Sequence, residues 1–147
     1  MLTTREATDE DLAFLASVFL RAMRVHITAA RGFWDESKER GQFQQQLRLQ
    51  STRIIMRNGV AVGFFMTAPC GQDIELHTIC VAPEHQRQGI GTTITRQVID
   101  EARLQKRGVV LSVLKANTAA RSLYERLGFV VCDELSRHYR MRLVPPA

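Results

Sequence analysis

Between Val81 and Thr92 the chain reads Val-Ala-Pro-Glu-His-Gln-Arg-Gln-Gly-Ile-Gly-Thr, and the part from Gln86 through Arg87, Gln88, Gly89, Ile90 and Gly91 to Thr92 has the makings of an anion cradle. Glycines lack a Cβ and let the backbone approach a phosphate closely. The N–H groups of a first helical turn then point at the anion with the helix dipole behind them. Arg87 adds a mobile positive charge. Neither the GxxxxGK[ST] spacing of a P-loop nor the GxGxxG of a Rossmann turn occurs here, so those two phosphate loops are excluded. A plain strand-to-helix turn has a similar composition, and one short glycine motif does not separate the two readings.

Other residues could carry proton chemistry. Glu75 and His77 alternate along one strand-like run and therefore share a face with Ile79 and Val81. Either is a candidate proton acceptor, and a solvated strand-face carboxylate is the plain alternative for Glu75. Tyr124 lies seven residues after Asn117, on the helical face of Ala120, Leu123 and Leu127, where spacing alone reads it as a packing residue. Trp34, Asp35 and Glu36 put an aromatic beside two carboxylates, a grouping that suits a cationic amine. The same residues also suit a loop anchor and, in Asp35, a helix cap. Cys70, Cys80 and Cys132 are far apart, with no CxxC and no histidine at zinc spacing, so reduced structural thiols and no metal site are expected.

The elements that must hold these residues follow from periodicity. Residues 3–7 read as a strand, and Thr8 with Asp11 resembles a capping box that starts a helix. That helix has an apolar face of Leu12, Leu15, Ala16, Phe19 and Met23. A more polar helix is expected over 36–49. Residues 52–57 and 60–67 flank Asn58-Gly59, the pair that best tolerates the positive φ angles of a tight hairpin. A strand over 73–81 ends before Pro83, and Ile90, Ile94, Val98 and Ala102 mark an amphipathic helix over 90–106. Val109–Leu114 is a buried-type strand, Asn117 caps a helix closed by Gly128, and 129–134 and 137–143 can pair as final strands. The order is β α α β β β α β α β β in one domain of residues 1–147, with Pro145-Pro146-Ala147 as a tail.

Two motifs then coincide. Gln86-x-x-Gly89-x-Gly91 after a strand ending in V-x-P resembles the pyrophosphate loop of the GNAT acetyltransferases, and Asn117-x-x-Ala120-x-x-x-Tyr124-x-x-x-Gly128-Phe129 resembles that superfamily's later cofactor motif. The resemblance covers about residues 50–143; before residue 50 only the helical pattern matches. It implies an α/β acyl-CoA N-acyltransferase fold, a mixed, mostly antiparallel seven-stranded sheet with helices on both faces and a splay between strands 4 and 5. It implies acetyl-CoA as cosubstrate, with Gln86 through Thr92 and Asn117 as cofactor-binding residues and backbone contacts at Ile79, Cys80 and Val81. By the same resemblance Tyr124 protonates the departing thiolate, and Glu75, eleven residues before Gln86, is the base, with His77 or a water chain as alternatives. Val81 N–H would polarise the thioester carbonyl, and Trp34, Glu36 and His77 would border the acceptor. Transfer would be direct, in a ternary complex, because Cys80 alternates away from Glu75 and His77.

Composition narrows the remaining classes. The net charge is +5, but residues 1–72 carry nine basic and seven acidic groups and residues 73–147 eleven and eight, so the excess is spread out. No basic and aromatic interleaving marks a nucleic-acid path. No uninterrupted apolar run approaches the roughly 18 residues of a membrane span, and the N-terminus lacks a signal-like apolar region, which predicts a cytoplasmic protein with no membrane partner. The expected partner is a small-molecule or peptide amine, and a homodimer is compatible. The rival reading is a non-catalytic acetyl-CoA sensor or subunit of the same fold.

Overall fold

A computed structural model of the chain describes residues 1–145; Pro146 and Ala147, in the tail expected from the sequence, lie outside the described residues. Seven strands, β1 (Leu2–Glu6), β2 (Thr52–Arg57), β3 (Val60–Cys70), β4 (Asp73–Val81), β5 (Val109–Leu114), β6 (Val130–Glu134) and β7 (His138–Leu143), form one sheet in the order β1-β2-β3-β4-β5-β7-β6. Four α-helices accompany them: α1 (Leu12–Arg31), α2 (Glu36–Gln46), α3 (Ile90–Leu104) and α4 (Thr118–Arg126). The β4–β5 pair is parallel, while β1–β2, β2–β3, β5–β7 and β6–β7 are antiparallel. This is the mixed, mostly antiparallel α/β architecture that the sequence implied. The chain divides into two compact units, Met1–Met66 with Thr78–Gly91 and Thr67–His77 with Thr92–Ala147.

The first unit is built on a β1–β2–β3 meander. Asn58 and Gly59 close its hairpin with φ of 52° and 80°, the doubly positive geometry that keeps the right-handed twist of the flanking strands. Its core gathers Leu15, Ala16 and Val18 of α1, Phe43 of α2, Ile54 of β2, Phe64 and Met66 of β3, and Cys80 of β4. Phe43 stacks on Phe19 at 4.5 Å and tilts against Phe64 at 5.8 Å, which fixes α1, α2 and β3 together.

Helix α1 is preceded by a 3-10 turn at Asp9–Asp11, so the capping pair sits one turn earlier than the α-helix itself. Thr8 N–H donates to Asp11 Oδ2 at 2.8 Å, and Arg5 grips both oxygens of the same carboxylate at 2.8 and 2.9 Å. By length and composition Asp9–Arg31 could cross a membrane, a property that a search for uninterrupted apolar runs misses because charged residues punctuate it. In this fold Leu15, Ala16, Val18, Leu20 and Ile27 are buried. Helix α2 ends at Gln46, short of the expected residue 49, because Leu49–Ser51 tighten into a 3-10 turn leading into β2.

The second unit pairs β7 with β5 from Val109↔Leu143 to Leu114↔His138 and with β6 across a bulge between Val131 and Asp133. Val109, Leu111 and Val113 of β5, Met141 of β7 and Ile94, Val98 and Ala102 of α3 are buried. The apolar four-residue steps read in the sequence for α3 are therefore its inner face. Tyr124 and Phe129 meet edge to face at 5.7 Å.

Candidate active site

The loop after β4 belongs to the first unit and is fastened at three points. Pro83–His85 form a 3-10 turn, and Glu84 within it pairs with Arg21 of α1 at 2.8 Å. Gln86 Nε2 donates back to the Val81 carbonyl at 3.0 Å. Arg57, at the end of β2, donates to Gln88 Oε1. Arg87 stands at φ 64°, a left-handed conformation that costs a non-glycine residue roughly 1–2 kcal/mol, and Gly89 follows at φ 78°. Such strain persists only where the surroundings over-determine it, as these fastenings do. Gln86, Arg87, Gln88 and Gly89 are exposed, whereas Ile90 is buried and anchors the start of α3. Around Gly89 and Gly91 nothing lies within 4 Å of where a Cβ would stand, which is the room an anion needs over a helix start.

Strand β4 leads into this loop. Its parallel ladder to β5 is registered at Ile74↔Val109 and Glu75↔Val110. On its other side β4 approaches β3 unusually closely. A Cβ at Gly63 would stand 2.3 Å from the Cys80 carbonyl oxygen and 3.1 Å from Val81 Cα, so only glycine is tolerated there. Ala82 N–H then donates to the Val62 carbonyl at 2.8 Å. Cys80 is buried, and burial pushes its thiol up to about 12. A thiol in that state is no nucleophile.

In the second unit, Glu75 is half-buried and ion-paired. Arg140 Nη1 donates to Glu75 Oε2 at 2.7 Å and to Ser112 Oγ at 3.0 Å, and Nη2 lies 3.7 Å from Cys70 Sγ. The hydrogen bond and charge of Glu75 raise the Arg140 pKa, so this guanidinium is permanently charged. Asp73, two residues earlier, is gripped through both oxygens by Arg142 at 2.9 and 3.0 Å. Arg142 holds the Asp73 carboxyl below the usual carboxylate range, chiefly through those hydrogen bonds. Register places all these groups on one face: Glu75 opposes Val110, Val110 opposes Arg142, and Ser112 opposes Arg140. Sequence reasoning singled out Glu75 but not the Arg140, Ser112 and Arg142 around it, since nothing local marks a partner 65 residues away.

The other expected site residues are placed as follows. His77 is exposed on β4, on the Glu75 face. Tyr124 is buried on α4. Asn117 caps α4, its Oδ1 accepting from Ala120 N–H at 3.2 Å. Trp34 and Glu36 lie in the first unit, and the neighbours of this stretch are its own: Arg24 covers the Trp34 ring at 5.7 Å, Asp35 caps α2 by accepting from Lys38 N–H, and Glu36 faces Arg40 at 3.9 Å. Arg21 and Arg57, which fasten the loop, carried no signal in the sequence because only the fold brings α1 and β2 to it. Among the described residues no group of three or more His, Cys, Asp or Glu side chains is gathered as a metal site.

The model of the acetyltransferase (GNAT) family matches residues 20–129. The ribosomal protein bS18-alanine N-acetyltransferase of Escherichia coli (strain K12) is 41% identical over 78 residues, which is 51% of this chain and 51% of that protein. The chain spans about half the length of the curated relatives it matches. The crystal structure of the ribosomal-protein-S18-alanine N-acetyltransferase from Escherichia coli is similar with a TM-score of 0.73 at 25% identity, covering 100% of this chain and 96% of that one. The paia N-acetyltransferase from Thermoplasma acidophilum, solved in complex with coenzyme A, shares the fold with a TM-score of 0.74 at 20% identity over 97% and 98% of the two chains.

Proposed function

The chain belongs to the GNAT acetyltransferase family, and from that premise we propose that it is a single catalytic domain, working in the cytoplasm, that transfers the acetyl group of acetyl-CoA to the α-amine of a peptide or protein N-terminus. Acetyl-CoA is the donor substrate. Its pyrophosphate suits the loop from Gln86 to Thr92, where Arg87 supplies charge and Gly89 and Gly91 leave space. Its pantetheine arm suits the backbone of Ile79, Cys80 and Val81 at the end of β4. Asn117, the cofactor residue of the second unit in this reading, fixes the start of α4.

An α-amine as acceptor is favoured by the charge balance around Glu75. Both carboxylates of that face, Asp73 and Glu75, are matched by arginines, so the face holds no surplus negative charge to attract a polycation. An α-amine, with a pKa of about 7.7–8.0 against about 10.4 for lysine, is already partly neutral near physiological pH and needs no such attraction. The relative from Escherichia coli, named for an alanine of a ribosomal protein, points the same way.

In the reaction Glu75 takes a proton from the acceptor ammonium, directly or through water, with His77 beside it on the strand face. The freed nitrogen attacks the thioester carbon, Val81 N–H stabilises the developing oxyanion, and the carbon–sulfur bond breaks. Tyr124 donates a proton to the departing thiolate. As the intermediate collapses the attacking nitrogen gives up its second proton, which restores Tyr124 by way of water, so the products are the N-acetyl amide and free coenzyme A, and the first ammonium proton passes from Glu75 to solvent.

The test is an acceptor panel read by thiol release, comparing peptides with a free N-terminus, Nα-blocked lysine peptides and spermidine. A kcat/KM at least about tenfold higher for the free N-terminus, the size of a single protonation-state preference, is expected. Equal or better use of blocked lysine or spermidine overturns the acceptor class. Acetyl-CoA binding without thiol release for any amine would identify a sensor instead.

A further inference from the structure

We infer that Arg140 is the positioning residue for Glu75, an assignment that rests on Glu75 being the proton acceptor. The two arginine–carboxylate pairs on this face differ in a way that matters. Arg142 closes on Asp73 with two of its nitrogens on both carboxylate oxygens, Nε on Oδ2 and Nη2 on Oδ1. Arg140 takes only Oε2 of Glu75 and spends its other contacts on Ser112 and Cys70. The first arrangement consumes a carboxylate, as a structural clasp does. The second steers one, holding Oε2 and leaving Oε1 as the oxygen directed to the acceptor.

The steering is rigid because the guanidinium is itself held from several elements. Ser112 lies directly opposite Arg140 in the β5–β7 ladder, Cys70 ends β3, and Glu75 lies on β4. A planar fork with donors in fixed directions transmits that registration to the carboxylate, which a lysine ammonium on a flexible stem does not. Glu75 otherwise has three rotatable side-chain bonds. A misplacement of about 1 Å in a reacting group can cost on the order of 100-fold in rate, so an orienting contact of this kind bears directly on turnover.

A double-mutant cycle tests the inference, with kcat measured at saturating acetyl-CoA and peptide for the wild type, Arg140→Met, Glu75→Gln and the double variant. Arg140→Met should lower kcat by about 10- to 100-fold in the wild-type background and by less than about 2-fold in the Glu75→Gln background, because a residue that acts through Glu75 has nothing to act on once the carboxylate is gone. Acetyl-CoA affinity by calorimetry should be unchanged in all four proteins. Arg140→Lys, which keeps the charge and loses the fork, should fall between wild type and Arg140→Met, and it supplies the same cycle if Arg140→Met does not fold. Equal losses in both backgrounds, with Glu75→Gln itself impaired, overturn the positioning role and leave Glu75 as the base. Wild-type turnover of Glu75→Gln overturns both assignments together.

Discussion

Replacing Gly63 with alanine should damage the protein at a distance from any reacting group. The added Cβ would stand 2.3 Å from the Cys80 carbonyl oxygen, 3.1 Å from Val81 Cα and 3.2 Å from the Cys80 carbonyl carbon. An ordinary carbon–oxygen approach is about 3.3–3.6 Å, so β3 and β4 must part by roughly 1 Å, and backbone atoms have no rotamer to escape into. Overpacking of this kind costs about 1–3 kcal/mol. For a chain of this length each kcal/mol lowers the melting temperature by about 2–4 °C, giving an expected fall of roughly 2–12 °C. Cys80 and Val81 are also residues proposed to pair with pantetheine, so the displaced strand should bind acetyl-CoA at least about tenfold more weakly. Thermal unfolding by circular dichroism and calorimetric titration with acetyl-CoA measure the two effects. Gly41→Ala is the control: Gly41 is inside α2 with nothing within 4 Å of its Cβ position, and alanine there should stabilise by about 0.5–1 kcal/mol. A Gly63→Ala protein that melts with the wild type would refute the close approach; one that melts early but binds acetyl-CoA normally would refute the pantetheine assignment.

Two further outcomes are expected. Tyr124→Phe removes the hydroxyl and keeps the ring against Phe129, so kcat should fall about 100-fold, near the low end for a general acid because a thiolate is a fair leaving group, with little change in melting temperature. Undiminished turnover with a lower melting temperature would make Tyr124 a packing residue only. Asp11 is held down to about 2, first by the hydrogen bonds from Arg5, against an ordinary value of 3.8. A depressed carboxyl contributes its full stability above about pH 4 and loses it as pH falls toward 2, a contribution of about 1 kcal/mol once the exposure of Arg5 is allowed for. Urea unfolding at pH 5 and pH 2.5 should therefore show a steeper acid loss for wild type than for Asp11→Asn, and parallel losses would refute the linkage.

Much of the fold was legible because its signals are local. Asn58-Gly59 needs no tertiary context to make a hairpin, and the four-residue apolar steps of α3 face the core in the structure as they do on a helical wheel. The misjudged boundaries lie where tertiary pairing overrides the local pattern. Strand β3 runs to Cys70 through Pro69, and α2 gives up its last turn to a 3-10 segment. The candidate site divides in the same way. The loop at Gln86–Gly91 is contiguous and could be read from spacing, as could the alternation that puts Glu75 and His77 on one face. The groups that fasten and steer it are not contiguous. Arg21 meets Glu84 across 63 residues, Arg57 meets Gln88 across 31, and Arg140 meets Glu75 across 65, and an arginine in an amphipathic sequence looks the same whether it faces water or a carboxylate.

The threefold fastening of the loop after β4 has a kinetic meaning. A segment tied to α1 through Glu84, to β4 through Gln86 and to β2 through Gln88 has few conformations open to it before any ligand arrives. Little chain entropy then remains to be lost at the encounter, and capture of an anionic ligand is governed by diffusion and charge rather than by a rearrangement. In rapid mixing the observed rate should climb linearly with acetyl-CoA concentration and drop as salt screens Arg87. Cutting a tether, as in Arg57→Ala, should bend that line toward a plateau set by the time the slackened loop needs to refold around its guest.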